Sequence, residues 1–147
     1  MNISECIAAL CSKDTKAGYS ALKALEAESR RSAAVCPYFD QFTDMLENEN
    51  SYIRTRALIL IAANAKWDSG NQVDEIIDRY LAHITDPKPI TARQCIQNLP
   101  EIAAHKPELA ETIVYALRAA DIEIYPASMQ SLVYRDIQAA LGQIQIP

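Results

Sequence analysis

Four cysteines, two histidines and a short run of arginines are the residues from which this sequence could build chemistry. Cys6 and Cys11 stand five apart, off the tight two-residue gap of structural zinc sites. Cys36 directly precedes Pro37, where a helix N-terminus would lower its pKa, but it reads first as a small packing residue, as most free cysteines do. Cys95 reads the same way. His83 and His105 are far apart, so neither a metal site nor a Cys–His pair is expected. The paired carboxylates Asp74 and Glu75 fit a solvated outer helix face. Phosphate loops, dinucleotide fingerprints and serine-nucleophile elbows are missing from the string. No catalytic residue, metal or cofactor is therefore assigned, and the expectation is a non-enzymatic protein.

The arginines carry more information. Arg56 follows Glu49 by seven residues, and Arg93 follows Asp86 by the same interval. That repetition predicts a ladder in which each arginine pairs with a turn acid and fixes the register of neighbouring helices. The competing use is to line a groove that receives an acidic partner. On a helix advancing about 100° per residue, Tyr52, Arg56, Ala63 and Trp67 share one stripe, with Asn64 at its margin. Arg54 lies about 160° from Arg56, so only one of the two can face a groove squarely. If Arg56 serves the ladder, Arg54 becomes the groove residue. The candidate binding set is Arg54, Arg56, Asn64, Trp67, Arg93, Gln94 and Gln97.

Helices must position these residues. There are only three glycines and no Asn-Gly or Asp-Gly hairpin signal, while apolar residues recur at three- and four-residue spacing. Eight helices are predicted. Asp14 caps the second, Pro37 sits in the first turn of the third, and Asn50 or Ser51 caps a fourth that runs to about Trp67. The run DSGN precedes the fifth. Asp86-Pro87-Lys88-Pro89 turns into a sixth, Ile90 to His105, with a kink or break near Asn98 caused by Pro100. Pro107 opens the seventh, and Ser128 caps the eighth, which ends near Ile144. The run ALILIA within NSYIRTRALILIAANAKWD is apolar on nearly every side, so its helix must be buried on nearly every side.

A shift of about 37 residues superposes like on like. Ile53, Arg56, Ile59 and Ala62 fall on Ile90, Arg93, Ile96 and Leu99, and Leu22 and Leu25 fall beneath Ile59 and Ala62. Ile76, Ile77 and Tyr80 fall on Ile113, Val114 and Leu117. Two helices per unit at this period mark an α-solenoid. With its turn acid, arginine and row of small apolar residues, the pattern in NSYIRTRALILIAANAKWD and DPKPITARQCIQNL resembles HEAT-repeat (armadillo-like) proteins. The stretches YFDQF, ANAKWD, KPITARQC and KPELAE look like small bacterial HEAT-like proteins often labelled "SufBD protein". The resemblance implies an all-α fold: a right-handed α-α superhelix of about four helix pairs, one domain over residues 1–147. It also implies a non-enzymatic module that presents a concave groove to a protein or peptide. Its label points towards iron–sulfur cluster assembly, and some HEAT-like folds act on alkylated DNA bases.

Composition limits those options. The chain has 147 residues, half of them hydrophobic, and a net charge of −5. A generally acidic surface argues against nucleic acid, which needs a concentrated basic face. The outer helices are acidic, whereas the helix from Ser51 carries Arg54 and Arg56 and no acid, so the groove side should be less negative than the back. The apolar run is far short of the roughly 20 residues that span a membrane. Glu5 stands where a secretory signal would carry basic residues, which predicts a cytoplasmic protein with free thiols. End-to-end association of copies through Ile144 and Ile146 is a further arrangement open to the chain.

Overall fold

The structure is a computed structural model describing residues 2–147, and these residues form eight α-helices and no strand. They are α1 (Ile3–Leu10), α2 (Thr15–Arg31), α3 (Phe39–Met45), α4 (Ser51–Asn64), α5 (Gln72–Leu81), α6 (Pro89–His105), α7 (Ala110–Ala119) and α8 (Ala127–Gln143). Short 3-10 turns separate several of them. Side-chain caps set three of the starts: Asn2 accepts from the Glu5 N–H, Asp14 from Lys16 and Ala17, and Asn50 from Tyr52.

Several boundaries differ from expectation: Pro37 and Pro107 lie in 3-10 turns that precede α3 and α7 rather than in the first turns of those helices. The α-helix of α4 stops at Asn64 and tightens into a 3-10 turn through Trp67. Helix α6 starts at Pro89, whose missing N–H costs nothing in the first turn, and runs unbroken through Pro100 to His105. Pro100 removes a backbone bond there, yet α4 and α8 pack along α6 on both sides and hold it helical. Helix α8 begins behind Pro126, leaving Ser128 inside the first turn rather than at its cap.

The even-numbered helices stand in a row in which α2 packs on α4, α4 on α6 and α6 on α8. Helix α1 packs on α2, α3 on α4, and α7 on both α6 and α8. Helix α5 joins through the buried Tyr80, whose hydroxyl donates to the Leu58 carbonyl of α4 at 2.9 Å, while its own carbonyl receives the Cys95 thiol of α6 at 3.5 Å. As its apolar circumference requires, α4 is enclosed: Ala57, Leu58, Leu60, Ile61 and Ala62 are all fully buried. The apolar core is one continuous cluster from Ile7 to Ala140.

Hydrogen bonds between elements stay short in range. Among the described residues the longest links positions 46 apart, Arg56 to Leu10, and several join residues 35 to 39 apart, such as Asn64 with Ser29, Thr55 with Thr91 and Tyr125 with Asp86. No helix is long and apolar enough to cross a membrane among the described residues.

Candidate functional site

The first turns and mid-sections of α2, α4 and α6 face a shallow hollow of about 350 Å³. Its walls come from positions spaced by three and four, which brings Tyr19 and Lys23 of α2, Tyr52 and Arg56 of α4, and Ile90 and Gln94 of α6 to one surface. Tyr52 and Ile90 stand 63% and 70% exposed at its rim, as Tyr115 does at 76% in the hollow on α7. The amide of Gln94 and the hydroxyls of Thr15 and Thr55 supply polar edges. Two other hollows are comparable or larger: about 490 Å³ beside the C-terminal tail and about 520 Å³ on α7. Neither has a buried charged side chain in its wall. The α2–α4–α6 hollow does, in Arg56.

Arg54 and Arg56 exchange the roles expected of them. Arg54, not Arg56, takes the turn acid, and the acid is that of the following unit. Its Nε and Nη2 grip the two Asp86 oxygens at 2.9 and 2.8 Å, and its Nη1 donates to the carbonyls of Asn48 and Glu49. The Glu49 contribution is thus its backbone; its side chain is exposed. Arg56 is 5% exposed and crosses α2 over Gly18, where its Nη1 donates to the Leu10 carbonyl at 2.7 Å and its Nη2 makes a longer 3.5 Å contact to the Thr15 carbonyl. Leu10 closes α1, so the guanidinium meets an orphan carbonyl at the negative end of a helix. The expected Arg93–Asp86 pair is also replaced: Arg93 binds Asp136 of α8 at 2.6 Å. The ladder of Arg56 and Arg93 on turn acids is thus not formed: Arg56 pairs with no carboxylate among the described residues, Arg93 takes a helix residue of α8, and Asp86 goes to Arg54, which rotation around α4 aims at the loop before α6.

The remaining candidates divide. Gln94 lines the hollow. Gln97 is exposed and outside it. Asn64 is fully buried and donates to Ser29 Oγ and the Leu60 carbonyl, while its Oδ1 has no partner. Trp67 is half-buried, its indole N–H donating to the Ser29 carbonyl at 2.6 Å. Asn64 and Trp67 therefore tie α4 to α2 at the end remote from the hollow. Their position on Arg56's stripe carried them into the candidate set, but the 3-10 turn after Asn64 breaks that stripe.

Two buried polar centres hold these helices in place. Asp86, 1% exposed, accepts from Arg54, from His83 Nδ1 at 2.7 Å and from the Lys88 N–H at 2.9 Å, and its carbonyl accepts from the Tyr125 hydroxyl at 2.5 Å. Burial alone would raise the Asp86 carboxyl; the bonds from His83, Arg54 and Lys88 outweigh it and hold the group well below the usual carboxylate range. Burial pushes the Tyr125 phenol up to about 12. The second centre was not foreseen. Lys106 is 5% exposed and reaches Asp68 at 3.1 Å, Asp74 at 3.2 Å and the Asp68 carbonyl at 2.9 Å, while the Asp68 carboxylate accepts from the N–H groups of Gln72 and Val73 at the start of α5. The signal available in the string was Asp68 just ahead of a helix start, but no local pattern announces a lysine 38 residues further on as its partner.

All four cysteines are free thiols; Cys95 is buried, Cys6 and Cys36 are half-buried and Cys11 is exposed. Burial, then the neighbouring Asp68, raises the Cys36 pKa, opposite in sense to the lowering expected of a helix N-terminus. Burial likewise pushes Cys95 well up. No group of three or more potential metal ligands gathers among the described residues. No family model matches the chain, no curated protein matches it, and no solved structure matches it.

Proposed function

We propose that the chain is a right-handed α-solenoid of about four HEAT-like helix pairs whose α2–α4–α6 hollow is a binding groove for a protein or peptide segment. The row α2–α4–α6–α8 and the confinement of hydrogen bonds to positions at most 46 apart support the solenoid, since a stacked repeat touches only its neighbours. The observation that carries the binding reading is the pair of exposed side chains, Tyr52 and Ile90, standing over a hollow floored by a buried arginine. A rigid helical row loses little order on binding, so such a surface can hold a partner with few contacts. The module is non-enzymatic and cytoplasmic in this reading, and resembles the small bacterial HEAT-like proteins in its inner-helix pattern. Raised thiol pKa values at Cys36 and Cys95 weigh against a role for these thiolates in iron–sulfur assembly. The −5 net charge weighs against nucleic acid.

Selection from a displayed peptide library tests the groove. Amide exchange on the selected complexes should show new protection on α2, α4 and α6, and the double variant Tyr52→Ala, Ile90→Ala should weaken binding at least about tenfold, as loss of central apolar anchors does. Protection confined to α7 and α8 would reject the site.

A further inference from the structure

The arginine at the floor of the groove lacks an anion. Arg54 has Asp86, Arg93 has Asp136 and Lys106 has two aspartates. Arg56 is more deeply buried than Arg54 or Arg93, yet no carboxylate forms an ion pair with it among the described residues. Of the five N–H donors of a guanidinium, two are engaged, both on neutral carbonyls, which leaves three without a protein acceptor. The end of α1 offsets only a fraction of the charge, since a helix terminus supplies about half a unit.

The groove walls do not supply the rest. They carry two cations, Lys23 and Arg56, against one carboxylate, Glu26, and that carboxylate already lies 3.4 Å from Lys23 and 3.9 Å from Arg30. On a chain of net charge −5 this is a local excess of positive charge. A carboxylate is the complement in charge and in shape, because the planar guanidinium presents paired donors that a carboxylate accepts two at a time.

Resting on the groove reading, we propose that Arg56 receives the carboxylate of an acidic side chain from a bound peptide segment whose neighbouring apolar side chain packs on Tyr52 and Ile90. The partner is thus a short segment in which a large apolar residue adjoins glutamate or aspartate. Gly18 makes the arrangement possible: a Cβ there would meet the Arg56 guanidinium, so only glycine leaves that group its slot.

The test uses the full chain and two synthetic peptide pools, acetylated and amidated to remove terminal charge. In one pool leucine or tyrosine is followed by glutamate; in the other, glutamine replaces the glutamate. Fluorescence anisotropy should find the glutamate pool bound about tenfold more tightly, the ratio one charge-assisted hydrogen bond supplies, with the difference shrinking at high salt. Arg56→Gln should bring the two pools to parity. Should that variant not fold, the Arg56 Nε–H resonance of the unaltered protein decides, moving with the glutamate pool and not with its twin. Equal affinity for both pools overturns the carboxylate assignment and leaves the groove standing. Failure of both pools to bind while library-selected peptides still protect α2, α4 and α6 overturns the assignment alone, and failure of every peptide removes the groove with it.

Discussion

Asp86 joins four segments at one carboxylate and one carbonyl: α4 through Arg54, the turn after α5 through His83, the start of α6 through Lys88, and the loop before α8 through Tyr125. A buried anion with this many donors is costly to remove from one side only, because its partners stay buried without it. Asp86→Asn leaves the Arg54 guanidinium facing a neutral amide and should cost about 3 kcal/mol in urea unfolding. The pH dependence follows from the depressed folded pKa. The Asp86 contribution is complete above the unfolded value of about 4, and it is lost as pH falls from there towards the folded value. The unaltered protein should therefore lose stability progressively on acidification below about pH 4, and Asp86→Asn should show a flatter acid limb. An unchanged limb would mean that other carboxylates govern acid unfolding.

At the scale of the helix, Gly18 and Arg56 show how a locally poor residue is retained for a contact across elements. Alanine inside a helix is favoured over glycine by about 1 kcal/mol, and Gly18 sits within α2. A Cβ at that position meets the tip of Arg56, a flexible end that can swing away, so the cost is the lost guanidinium bond to Leu10 rather than a rigid clash. A hydrogen bond from a charged group contributes about 1.5–3 kcal/mol, which outweighs the gain in helix propensity. Gly18→Ala should thus destabilise the protein by about 1 kcal/mol. In an Arg56→Met background the same change should stabilise it by about 1 kcal/mol. A double-mutant cycle by thermal or urea unfolding measures the reversal. Equal effects in both backgrounds would show that the slot is unrelated to the arginine.

For the whole molecule, a stack of neighbours behaves unlike a globule with one shared centre. If stability is the sum of local units and their interfaces, damage at one end should stay there. Ile137→Ala, in the buried face of α8, should cost about 2–4 kcal/mol locally. Hydrogen exchange should then quicken in α6, α7 and α8 while α1 and α2 keep their protection. A uniform loss across all eight helices would show a single cooperative unit and remove the solenoid reading.

Helix content, most boundaries and the burial of α4 were written in the string. They depend on short-range terms: capping groups such as Asp14 and Asn50, three-and-four spacing, and an apolar run too long to leave a polar face. The arginine–acid series read from the 37-residue spacing did not form as expected, since Arg56 and Arg93 do not take the turn acids. Which arginine met which acid was decided by tertiary packing alone. A turn of roughly 100° per residue places Arg54 and Arg56 on different sides of α4, but only the positions of α1, α2 and α6 determine what lies on each side. The same holds for the pairing of Lys106 with Asp68 and for the hollow between Tyr52 and Ile90. Local sequence sets what a residue can offer; distances across the row set whether anything is there to receive it.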